Sequence, residues 1–191
     1  MARPYDMTLR SKLAAQTSER IVAAAEELLT KHPLAAVTLK AVAESAGVTV
    51  QTVLRHTGSR EGCLEAVAER IAARVEAQRG GSVPGDVEAA VTDLVAHYEA
   101  EGRLVLNMLA QEGGSEPLAK RAAEEGRRYH RRWVLRCFSP LMRDEAEERV
   151  DALVAATDLY VWKLLRLDLG RSREVTEAVL KRLVRAVLEG S

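Results

Sequence analysis

The stretch from Thr38 to Thr57, TLKAVAESAGVTVQTVLRHT, confines the fold more than any other part of the chain, because two helical apolar patterns meet there at one glycine. Leu39, Val42, Ala43 and Ala46 recur at three- and four-residue intervals, the period of a helix with one buried face, and Thr38 stands at the capping position before them. Gly47 then supplies the left-handed or closely packed backbone that a tight turn needs. A second helix begins at once, with Thr49 at its N-cap and Val53 directed inward. Val50, Gln51, Thr52, Arg55 and His56 are left for its other faces. Glutamine can bond an adenine edge bidentately, threonine and valine can meet thymine methyls, and arginine can take guanine or a phosphate. The hinged pair therefore predicts a device for reading a major groove. Such pairs also occur in many helical proteins, and alone this one leaves a purely structural role open.

Residues 46–57 run Ala-Gly-Val-Thr-Val-Gln-Thr-Val-Leu-Arg-His-Thr, and Ser59-Arg60-Glu61 follows. The segment resembles the tetracycline-repressor (TetR) family of bacterial transcription regulators. Their helix-turn-helix usually reads alanine, glycine, valine, serine, two variable residues and threonine before an aromatic-histidine-aromatic ending. The resemblance implies that Thr49, Val50, Gln51, Thr52 and Arg55 face the bases of a double-stranded DNA operator, while Thr38, Lys40, His56 and Arg60 hold phosphates. Arg60 stands at the family's cation at the start of the fourth helix. Two positions depart from the pattern. Leu54 replaces a tyrosine that helps to grip a phosphate, a loss that the Thr57 hydroxyl would offset in part, and Thr57 itself replaces a phenylalanine that packs into the domain core.

Upstream, Ile21, Ala25, Leu28 and Leu29 form one stripe between Ser18 and Lys31, which predicts the supporting first helix of a three-helix headpiece ended by His32-Pro33. Residues 1–17 read as a tail whose Arg3, Arg10 and Lys12 either reach a minor groove or belong to a disordered terminus. The 191 residues carry 28 basic and 28 acidic side chains. Residues 1–60 hold eight basic against five acidic ones, an excess in the direction that phosphate contact requires, though a modest one. The expected division is a tail at 1–17, a helix-turn-helix domain at 18–63 and a helical regulatory and dimerisation domain at 64–191.

Beyond residue 63 no alternating strand pattern appears, so the fold class is all-α: a headpiece plus a C-terminal helical bundle. A helix from Leu64 to Arg79 precedes the loop Gly80-Gly81-Ser82-Val83-Pro84-Gly85. Asp86 caps the next helix, which Gly102 is expected to interrupt before a short one from Arg103 to Gln111. Ser115 starts another that Ser139-Pro140 stops. Two long apolar helices are expected over Asp144 to Leu169 and Ser172 to Leu188, with more apolar surface than one supporting contact uses.

By analogy with the family these last helices pair with a second copy, placing Leu153, Thr157, Tyr160, Leu164, Val179, Leu183 and Val187 in a homodimer interface; closing a monomeric bundle is the alternative. The resemblance also implies a small-molecule effector site in the body, with Tyr98, Met108, Tyr129, Trp133, Phe138, Met142 and Trp162 as candidates. Ordinary core is the competing reading of each. The basic run from Arg127 to Arg136 follows Glu124 and Glu125 at ion-pairing intervals and reads as a solvated helix face, with room for one or two arginines to hold an anionic ligand.

No catalytic signature is present. The four histidines lie on separate segments without metal-ligand spacing, and no phosphate loop, dinucleotide fingerprint or nucleophile elbow occurs, so no enzyme, metal or cofactor is expected. Cys63 and Cys137 are read as reduced thiols. Without a signal-peptide pattern or an apolar run of about 18 residues, the expectation is a cytoplasmic protein with no membrane partner. The functional expectation is a ligand-responsive transcriptional regulator, most often a repressor in this family. The rival is a dimeric helical ligand-sensing or partner-binding module that has lost DNA affinity.

Overall fold

A computed structural model describes residues 7–142 and 146–190. Among the described residues every regular element is helical. The chain divides into two compact units, one up to Ile71 and one from Ala72 onward. The division falls inside a helix, later than the expected end at residue 63.

The first unit begins with α1 (Met7–Lys31), which starts well before the expected Ser18, so residues 7–17 are helix rather than tail. Arg3 lies outside the described residues. A short 3-10 turn, Leu34–Ala36, leads to α2 (Leu39–Ala46) and α3 (Val50–Thr57), and α4 (Arg60–Arg79) begins in this unit and ends in the other. Local chemistry sets these boundaries. The Thr38 hydroxyl accepts from Ala41 N at 3.1 Å and the Thr49 hydroxyl from Thr52 N at 3.1 Å, each satisfying an amide left over at a helix start. Gly47 ends α2 at φ 64°, in the left-handed region where a side chain would be strained. Ile21, Ala25, Leu34, Val37, Val42 and Val53 are buried to within 1%. Burial of Val53 alone is worth roughly 1.5–3 kcal/mol, which orients α3 by its inward face.

In the second unit, α5 (Val87–Leu109) packs on α6 (Pro117–Phe138), α8 (Leu159–Lys163) and α9 (Arg173–Glu189), and α7 (Glu147–Ala156) packs on α6 and α9. Its core joins Val91, Leu94, Val95, Trp133, Phe138, Leu153, Leu180 and Val184. Two expected boundaries are corrected. α5 runs unbroken through Gly102, because that glycine serves packing rather than termination: a Cβ there would stand 2.7 Å from the Trp162 ring. The expected single helix from Asp144 to Leu169 is instead α7, a break at Thr157-Asp158, then α8 and a π turn over Leu164–Asp168. Asp158 causes the restart by accepting from Tyr160 N at 2.8 Å.

Candidate functional sites

On α3, Gln51 and Arg55 lie one turn apart and opposite Val53, since positions two residues either side of a helical residue project to its far face. Both are exposed, as are Thr49 and Val50, while Thr52 and His56 are half-buried. The Thr49 and Thr52 hydroxyls lie 2.9 Å apart, and Thr49 also caps the helix, so Thr49 works first as a structural acceptor. Lys40 is exposed, with Glu44 at a loose 3.9 Å; such a pair contributes about 0–1 kcal/mol and leaves the ammonium free to take a phosphate instead. Thr38 is exposed but caps α2.

Two side chains depart from the expected phosphate set. Arg60 is committed inward: its Nε donates to the Val37 carbonyl at 2.9 Å and Nη2 to the Leu34 carbonyl at 2.6 Å, tying α4 to the 3-10 turn. The Thr57 hydroxyl has one proton and two carbonyls to serve, Val53 O at 3.0 Å and Ser59 O at 3.1 Å, so it does not replace the missing tyrosine donor. Its polar use also explains why a threonine stands at a position the family fills with an aromatic ring. Ser59 caps α4, accepting from Gly62 N at 2.9 Å.

In the second unit the candidate effector residues largely gather in one core. Trp133 meets Phe138 edge-on at 5.6 Å, and Tyr98 meets Trp162 at 6.1 Å. Tyr129 and Met142 pack against the same cluster, whereas Met108 is buried outside it. Two polar tips are satisfied: Tyr98 donates to Thr157 O at 2.9 Å, and Trp162 Nε1 donates to Glu99 at 2.9 Å.

A buried polar chain that sequence reasoning missed runs through this region. Arg79, at the end of α4 and 3% exposed, donates from Nη2 to His130 Nδ1 at 2.9 Å. His130 Nε2 therefore carries the proton and faces the Thr157 hydroxyl at 3.1 Å, which in turn donates to Leu153 O at 2.6 Å. Burial and the Arg79 charge hold His130 down at about 3, and burial, Arg79 and His130 do the same to His97. Both imidazoles are neutral at pH 7. The guanidinium of Arg79 lies 4.3 Å above the Trp133 ring and 5.2 Å from that of Tyr129.

The expected interface residues separate into two groups. Leu153 and Thr157 are fully buried within the subunit, Leu153 in the apolar core and Thr157 in the polar chain, which corrects their assignment to a surface between copies. Tyr160, Leu164 and Leu183 are exposed, and Val179 and Val187 half-buried. Leu169 and Val175 join the exposed group. The basic run on α6 makes ion pairs to other elements, Arg127 with Glu112 at 2.7 Å and Arg131 with Asp151 at 2.5 Å.

With this geometry in hand, residues 21–67 match the family model for bacterial regulatory proteins of the tetR family. Over these residues the chain is similar to the N-terminal domain of that family. The match spans α1 from Ile21 into α4, the stretch that holds the capped α2–α3 pair. The fold is also that of two solved structures. One is a transcriptional regulator from Rhodococcus sp. Rha1, 20% identical with TM-score 0.66, covering 91% of this chain and 96% of the other. The second, described as a TetR-family transcriptional regulator from Rhodococcus sp., is 18% identical with TM-score 0.67 and covers 91% and 99%. No curated protein sequence matches. At these identities the likeness to the two solved structures is one of fold. No helix among the described residues is long and apolar enough to cross a membrane.

Proposed function

We propose that the protein acts as a homodimer on a palindromic double-stranded operator, most simply as a repressor, and releases it when a small molecule occupies the helical body. The observation that carries the reading is the exposed pair Gln51 and Arg55 opposite the fully buried Val53 on a doubly capped helix-turn-helix. Dimerisation is supported by the distribution of apolar surface. Five of the nine large exposed apolar side chains among the described residues, Tyr160, Leu164, Leu169, Val175 and Leu183, fall between α8 and α9. A second copy would cover them and give the two-fold symmetry of a palindrome.

Effector action is then a population shift: a ligand that prefers one conformation of the body draws the protein away from the operator-competent state by its difference in affinity for the two. α4 supplies covalent continuity between the helix-turn-helix and the polar chain at Arg79.

Selection from a random duplex library at about 100 mM salt tests the reading, because non-specific phosphate contacts are already weakened there. A recovered palindrome supports it. Arg55→Ala is expected to cost about 1–3 kcal/mol of operator affinity with an unchanged circular dichroism spectrum. Failure of well-folded dimer to enrich any sequence would favour the second reading, a helical sensing module without DNA affinity. Leu54 and the inward Thr57 hydroxyl are the observations on that side.

A further inference from the structure

Three buried side-chain polar atoms among the described residues have no hydrogen-bond partner: Arg79 Nε, Trp133 Nε1 and Arg136 Nε. All three are N–H donors, and the residues are neighbours. Arg79 stacks on Trp133, and Arg136 donates through Nη2 to the Arg79 carbonyl. A buried donor left unmade costs about 1–3 kcal/mol, more when it is charged. A cluster lacking acceptors alone, with a buried cation in it, lacks a specific thing, namely an anion.

The rest of the body shows how this chain neutralises an arginine that serves structure. Arg74, little more than one turn earlier on α4, forks onto the buried Glu101 at 2.7 and 3.1 Å, and Arg166 forks onto Glu99 at 2.6 and 2.9 Å. Arg79 has no carboxylate partner among the described residues. Glu76, one turn before it, accepts instead from the Tyr129 hydroxyl at 3.1 Å. The groups around it supply no negative charge either, since burial raises Tyr98, Tyr129 and Cys137 and keeps them protonated.

We propose that Arg79, Trp133 and Arg136 form the anion-holding end of the effector site, and that the effector is a small organic carboxylate with an apolar remainder. The proposal rests on the reading of the body as an effector domain and names the ligand class. A carboxylate would accept from the guanidinium edge and the indole N–H and leave the His130 bond in place, and because Arg79 and His130 already lie over the Trp133 ring, the apolar remainder would extend past the half-buried Tyr129. Tyr129 is the half-buried outer wall, held by its exposed bond to Glu76, so the wall can open at small cost.

The test titrates full-length protein by calorimetry and tryptophan fluorescence with acetate, butyrate, octanoate, benzoate and phenylacetate, each beside its neutral amide. At least one carboxylate is expected to bind while its amide does not. Arg79→Met should weaken that binding about tenfold or more, and Trp133→Phe by less, in keeping with loss of a charge-assisted and a neutral donor. Without ligand, Arg79→Met should melt no lower than the wild type, because it removes an uncompensated charge. Equal binding of acid and amide, no binding of any acid, or a lower melting temperature for Arg79→Met with carboxylate affinity retained would each overturn the proposal. Should Arg79→Met not fold, Trp133→Phe decides alone: unchanged carboxylate affinity removes the site. Wild type that selects an operator yet ignores every carboxylate would overturn this inference and leave the regulator reading standing. Carboxylate binding by a protein that selects no operator would do the reverse.

Discussion

The two ends of α4 treat an arginine in opposite ways. Arg60, its first residue, spends its guanidinium on the carbonyls of Val37 and Leu34, and the headpiece is held by donors matched to acceptors. Arg79, its last residue, keeps one bond to a neutral imidazole and leaves Nε unmet. Burial by itself therefore says little about an arginine's role. The count of acceptors around it separates a side chain that completes the fold from one held ready for something else.

Acid sharpens the contrast most. His97 and His130 protonate at about 3 in the folded body against an ordinary 6.5, so between those values the unfolded chain binds more protons and stability falls as pH drops. Their contribution is complete above pH 6.5, and at pH 4 the loss approaches about 3 kcal/mol per histidine. Trp133 and Trp162 both belong to the second unit, so tryptophan-detected urea unfolding at pH 7 and pH 4 reads this region specifically. An unchanged midpoint would mean that the imidazoles are not held neutral.

Next in size is Arg60→Met, expected to cost about 2 kcal/mol because the Val37 and Leu34 carbonyls each lose a charged donor, Leu34 O keeping Val37 N. Hydrogen exchange over residues 34–57 measures it; protection equal to wild type would erase the distinction between the helix ends. Smallest is Thr49→Ala, which removes a cap worth about 1 kcal/mol and should raise exchange at Thr52 and Val53 without altering tryptophan-detected unfolding.

What could be read from the sequence follows the reach of each interaction. Thr38, Thr49 and Asp86 cap where they were expected to, because a cap is a bond across two or three residues. The all-α class and the hinge at Gly47 were legible for the same reason. Gly102 was misread as a break because its reason for being small, the Trp162 ring, is sixty residues away. Leu153 and Thr157 fit an interface stripe by spacing, yet Thr157 is claimed by His130 and Tyr98 from other helices. Arg79 looked like an ordinary basic residue at a helix end, and its partner lies 51 positions on. The exposure of Gln51 and Arg55 opposite Val53 was legible from helical spacing; the inward turn of Arg60 was not, since nothing local announces the carbonyls it meets.

Because the boundary between the units falls between Ile71 and Ala72, neither can be excised at the end of a helix. A fragment stopped at the end of α4 would carry Arg79 without the rings that cover it. One stopped at residue 63 would strip Leu64 and Val67 from the headpiece core. The natural seam for a chimaera is Ala72-Ala73, two exposed alanines in mid-helix. Exchange of the first 71 residues there would keep each unit's own core residues together, with helical register through α4 as a condition on the graft.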